Sequence, residues 1–111
     1  MNHAVQHWRF QRLTAIILVP LCLWFIFSLA TATSMDYTGA SAWVKTPVHS
    51  VLLILFIPAL FYHGQLGLQV VIEDYVSNER LRNQSIMLCK IALYLSGLVA
   101  IAAVLKIALG L

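Results

Sequence analysis

Three long stretches of the chain are almost free of charge, and they decide what it can fold into. From Leu13 to Met35 there is no Asp, Glu, Lys or Arg, and from Thr46 to Ile72 there is none either. The third stretch, Ile86 to Leu105, is interrupted only by Lys90 near its start. About 20 apolar residues carry a helix across the hydrocarbon core of a bilayer, so each stretch is long enough for one crossing. Strands are excluded, because an open three-stranded sheet would leave its edge amides unpaired in lipid. Composition agrees: 61% of the 111 residues are hydrophobic and 10% are charged, against roughly 25% charged in soluble domains. The expected fold is all-α, one domain over residues 1–111 with three transmembrane helices at about 10–32, 47–76 and 86–109.

The segments between the spans are polar. SMDYTGASAW and SNERLRNQS lack apolar periodicity and are expected to be loops. Pro47 suits the first turn of the second span, whereas Pro58 falls inside it and is expected to bend it. The first apolar run is too long for the core of a cleaved signal, so a retained first helix is expected. Five basic residues, Arg9, Arg12, Arg80, Arg82 and Lys90, fall on one side of the membrane, and Lys45 and Lys106 on the other. That bias puts the N-terminus and second loop on the cytoplasmic (or matrix) side and the C-terminus outside. Trp8, Trp43 and Tyr75 fall near the expected interfaces, where amphipathic rings are favoured. Cys22 and Cys89 have neither metal-ligand spacing nor a disulfide framework. The net charge of +3 reflects topology, since the basic residues form no patch for nucleic acid.

Chemistry concentrates in FYHGQLGLQVVIEDYV, Phe61 to Val76. A histidine in the middle of a span is costly and points to function by default. At 100° per residue, Gly67, Val70 and Asp74 fall within about 40° of His63 on one helix face. Gly67, one turn on, is expected to leave a slot beside the imidazole, and Gly64 is a second small residue nearby. Three readings fit these residues. The imidazole is hydrogen-bonded to a neighbouring helix with glycines for close packing, or it ligates haem iron as a neutral base, or it relays protons. His49 stands 14 residues earlier on the same face, which raises a two-haem arrangement. Its place in the first turn beside Pro47 points rather to an interfacial residue. His3 and His7 lie in the polar N-terminal stretch and carry no signal of their own.

Asp74 and Tyr75 follow His63 by about 16–18 Å along the helix axis, towards the cytoplasmic interface. Arg12 opens the first span on the same side. A cation, a carboxylate and a phenol are therefore expected at one depth. They form either a polar site or an ordinary interfacial belt with a snorkelling arginine.

RLTAI at Arg12 to Ile16, HGQLGLQVVIEDYV at His63 to Val76 and three short spans together resemble the smaller of the two hydrophobic membrane anchors of succinate dehydrogenase, complex II. The resemblance runs from Trp8 to Leu109. The histidine–glycine spacing followed by EDYV is its specific part, and VVIEDYV looks most like alphaproteobacterial and mitochondrion-type sequences. The resemblance implies a bundle completed by a second three-helix anchor. The pair would hold an iron–sulfur subunit and a flavoprotein subunit on the cytoplasmic or matrix face. It implies a b-type haem shared between the two anchors, with His63 matching the axial ligand that this anchor gives to the iron. It also implies a ubiquinone site, with Tyr75 matching its tyrosine, Asp74 the adjacent aspartate and Arg12 the arginine that opens the first span. The expected location is a bacterial inner membrane rather than a mitochondrial one. No catalysis is expected from the chain alone: it has no Gly-rich phosphate loop for a flavin, and two separated intramembrane cysteines cannot ligate a cluster. A quinol:fumarate reductase anchor is the near alternative. A non-redox assembly or transport subunit with a structural His63 is the distant one.

Overall fold

A computed structural model describes residues 3–111. Met1 and Asn2, which begin the polar N-terminal stretch, lie outside the described residues. The chain forms four helices: α1 His3–Ala32, α2 Tyr37–Lys45, α3 Pro47–Tyr75 and α4 Glu79–Leu109. No strand occurs among the described residues. Helices α1, α3 and α4 are long and apolar enough to cross a membrane. At 30, 29 and 31 residues each is about 45 Å long, against a hydrocarbon core of about 30 Å. Their ends therefore reach beyond the core.

Three boundaries differ from the sequence expectation, each for a local reason. α1 begins at His3 rather than near residue 10, because Ala4, Gln6, Arg9 and Gln11 are good helix formers although polar or small. SNERLRNQS is mostly helix. Only Val76–Asn78 separate α3 from α4, and the Asn78 side chain caps α4 by accepting from the Leu81 amide at 3.0 Å. Most of the first expected loop is the short helix α2. Asp36 caps it by accepting from the Gly39 amide at 2.8 Å, and its Trp43 and Val44 pack against the core. Pro47 starts α3 as expected, and Pro20 and Pro58 both lie within helices. α4 ends at Gly110, whose φ of 71° suits a residue without a Cβ. There the Leu111 amide donates to the Lys106 carbonyl at 2.9 Å.

α3 is the central helix and touches all the others, most extensively α4. Leu53, Ile57 and Val104 form the buried core, with Trp24, Phe25, Trp43 and Phe61 around it. At Gly97 of α4 the Phe61 ring comes so close that a Cβ would stand 3.4 Å from it. Small residues at helix contacts serve this purpose in bilayers, where lipid removes the hydrophobic drive between helices. The α3–α4 seam also holds Gln65, the most buried side chain at 1% exposure. Tyr94 Oη donates to Gln65 Oε1 at 3.2 Å, Gln65 Nε2 donates to Gln69 Oε1 at 2.9 Å, and Gln69 Nε2 donates to Glu73 Oε1 at 3.0 Å. This ladder leads the polarity of a mid-membrane amide out to the end of α3.

Candidate functional site

His63 lies about 160° around α3 from Gln65, so the helix shows different faces to its two long neighbours. The His63 face meets α1. There the imidazole is half-buried and Nδ1 stands 3.0 Å from Oγ1 of Thr14. Thr14 is itself buried at 9% exposure, and its Oγ1 also lies 2.7 Å from the Phe10 carbonyl oxygen and 3.0 Å from that of Gln11. Nε2 of His63 makes no hydrogen bond among the described residues. One turn further, Gln11 rather than open space faces Gly67, since its Nε2 would stand 3.5 Å from an added Cβ. The slot expected at Gly67 is filled from α1. At Gly64 nothing lies within 4 Å of an added Cβ, so the open backbone is on that side of the histidine.

Two polar atoms on this part of α1 are buried without a partner, Gln11 Oε1 and His7 Nε2. Orphaned polar atoms are rare in folded chains and call for an explanation. Neither His7 nor Gln11 is singled out by hydropathy. The signal available is their spacing, since residues 7, 11 and 14 fall on one face of a helix that begins early enough to include them. Gln65 is hidden in the same way. Its cue is the i, i+4 repeat of Gln65, Gln69 and Glu73.

His49 sits in a different environment. Its ring stacks on Trp43 with centroids 4.2 Å apart, Trp24 lies 6.3 Å away, and Nδ1 donates to the Trp43 carbonyl oxygen at 2.8 Å. Backbone and indoles hold it where α2 meets α3.

Asp74 and Tyr75 end α3, both exposed, Tyr75 at 83%. The structure does not bring Arg12 to them. Thr14 lies against His63 and Gln11 against Gly67. Continuing that antiparallel register sets Arg12 level with residues 65 and 66, about 13 Å from the level of Asp74 and Tyr75. Arg12 is also about 160° around α1 from Thr14. It turns away from α3, and its guanidinium stands over the Trp8 ring at 5.1 Å. The early start of α1 is the reason, because it places Arg12 in the third turn of the helix instead of at its mouth. No group of three or more His, Cys, Asp or Glu side chains gathers among the described residues. Any metal held here is held by a single imidazole with ligands from elsewhere. A depression of about 460 Å³ lies at the other end of the molecule, among Tyr37, Ser41, Lys45 and Lys106.

The model of the succinate dehydrogenase/fumarate reductase transmembrane subunit family matches residues 1–105. The succinate dehydrogenase hydrophobic membrane anchor subunit of Rickettsia bellii is 38% identical over 98 residues, covering 88% of this chain and 78% of that protein. Its namesake in Rickettsia felis is 37% identical over 81% of this chain and 75% of that protein. The succinate dehydrogenase membrane anchor subunit of Reclinomonas americana is 30% identical, with coverages of 77% and 73%. No solved structure gives a significant match.

Proposed function

Because the chain belongs to the succinate dehydrogenase/fumarate reductase transmembrane subunit family, and is a multi-pass membrane anchor of succinate dehydrogenase, we propose that it holds one face of a b-type haem through His63 and one side of a ubiquinone site through Tyr75 and Asp74. The observation that carries the haem reading is the state of His63. It is a mid-membrane imidazole engaged at Nδ1, without a hydrogen bond at Nε2, beside the open backbone of Gly64. One nitrogen oriented by a hydrogen bond and the other free is the arrangement of metal-bound histidines generally. A second axial histidine comes from a partner anchor, since no other described histidine faces His63. When bound, the haem supplies a one-electron store between the soluble subunits and the quinone.

Reduction of a quinone to a quinol takes up two electrons and two protons. The electrons come from succinate through a flavoprotein and an iron–sulfur partner, as nothing in this chain holds either cofactor. Tyr75 donates a hydrogen bond from its phenol to a quinone carbonyl oxygen, a bond that strengthens as negative charge develops there. Asp74, adjacent and exposed, accepts and returns protons from the aqueous side. Arg12 belongs to the partner-facing side of the site, because it leaves the α1–α3 seam and stands between His63 and Asp74 in depth. The five-to-two distribution of Lys and Arg supports a cytoplasmic position, at an inner membrane, for Tyr75 and the α3–α4 turn, where the soluble subunits dock.

The experiment is purification through an affinity tag on this chain from mild detergent. The expected result is co-purification of a second three-helix anchor, a flavoprotein and an iron–sulfur protein, with succinate:quinone activity in the eluate. A chain that elutes alone, or with transport proteins, contradicts the proposal.

A further inference from the structure

We propose that Thr14 is the positioning residue of His63: it accepts a hydrogen bond from the Nδ1–H and so makes Nε2 the nitrogen that meets iron. This rests on the reading of His63 as an axial ligand and deepens it. The argument is a count of protons. A threonine hydroxyl has one hydrogen to give and two lone pairs to receive with. Oγ1 of Thr14 has three neighbours: the Phe10 carbonyl oxygen at 2.7 Å, the Gln11 carbonyl oxygen at 3.0 Å and His63 Nδ1 at 3.0 Å. Both carbonyls are acceptors only. The hydrogen therefore points back along α1 to these two oxygens, the i−4 and i−3 donation that threonine commonly makes in helices. What Thr14 offers His63 is a lone pair, so Nδ1 carries the hydrogen. In neutral imidazole the other nitrogen is then bare, and Nε2 is the free donor.

The opposite assignment turns the hydroxyl hydrogen to Nδ1. It would leave oxygen facing oxygen at 2.7 Å and 3.0 Å with no hydrogen between them. Burial reinforces the argument. Thr14 is 9% exposed, so water does not compete for the contact. Packing against α3 and the bond back to its own helix hold the hydroxyl in one rotamer. His49 has the same tautomer by the same logic, since its Nδ1 faces the Trp43 carbonyl. Its partner is backbone, however, and no side-chain replacement removes it. At His63 the partner is a side chain on another helix, and the geometry of the site therefore depends on how α1 and α3 are set against each other.

The test is made on the assembled complex with Thr14→Val, which keeps the branched shape and loses the hydroxyl, and Thr14→Ser, which keeps the hydroxyl. The readouts are the rate of haem loss to excess apomyoglobin and the haem midpoint potential. An outer partner of a ligating histidine raises its basicity, and its loss costs about 10–100-fold in metal affinity. Thr14→Val is expected to speed haem loss by about that factor and to move the potential in the positive direction, because a weaker imidazole donor favours ferric iron less. Thr14→Ser is expected to stay with the wild type. If valine proves too apolar for assembly, Thr14→Ala carries the same expectation. Unchanged haem loss and potential in Thr14→Val, or equal changes in the valine and serine variants, overturn the role of Thr14. Retention of wild-type haem by His63→Ala overturns the ligand reading instead, so the two failures are told apart.

Discussion

His63 and His49 carry the same proton pattern, and what distinguishes them is their surroundings. His49 is enclosed by two indoles, whereas His63 has open backbone beside it at Gly64. A lone mid-span histidine is visible in any hydropathy reading, which is why His63 stands out. Thr14 does not, because its relevance depends on the register between two helices, with 49 residues separating the partners in sequence. Arg12 shows the converse. Its position ahead of an apolar run suggests a mouth residue, but polar helix formers extend α1 by two turns and rotate Arg12 away from Asp74 and Tyr75. The residue-scale prediction concerns Tyr75. Tyr75→Phe keeps the ring and removes only the hydroxyl. A lost hydrogen bond to developing charge costs about 1.5–3 kcal/mol, roughly ten- to a hundred-fold in rate. The measurement is the ratio of succinate:quinone activity to succinate oxidation by an artificial acceptor that draws on the soluble subunits. That ratio is expected to fall; an unchanged ratio makes Tyr75 an interfacial anchor only.

The three spans are legible because hydrocarbon thickness imposes a length on any apolar helix, and their centres fall where the uncharged runs are. Their ends are not legible from apolarity. ERLRN is polar and continues α4 outside the hydrocarbon, where side-chain caps and helix propensity take over from burial. α2 reads as loop for a related reason. Its nine residues are too short and too polar to signal a span, and it is held by an aspartate cap and by Trp43 stacking on Trp24 at 5.7 Å. The Tyr94–Gln65 bond likewise joins two spans in a way no single-helix pattern reveals, and interhelical bonds of this kind contribute about 0.6–2 kcal/mol in bilayers. The element-scale prediction is the side on which each end lies. The basic residues flank α1 and the α3–α4 turn, so a periplasm-active reporter fused after Leu111 is expected to be active and the same reporter placed at Ser77 silent. The reverse pattern inverts the orientation.

The whole molecule is a plate of three spans with α3 in the centre. Such a plate leaves its functional face half-made. Arg12 points outward from α1, His63 has one free nitrogen, and Gln11 and His7 carry buried atoms with no partner among the described residues. Each of these is explained at once if a second anchor and a haem close over the α1–α3 seam, and that is the central claim. The most direct measurement is the reduced-minus-oxidised visible spectrum of the purified complex in wild type, His63→Ala and His49→Ala. The account predicts a b-type haem band in the wild type, its loss or marked alteration in His63→Ala, and a spectrum close to wild type in His49→Ala. A band that survives His63→Ala and disappears with His49→Ala would contradict it.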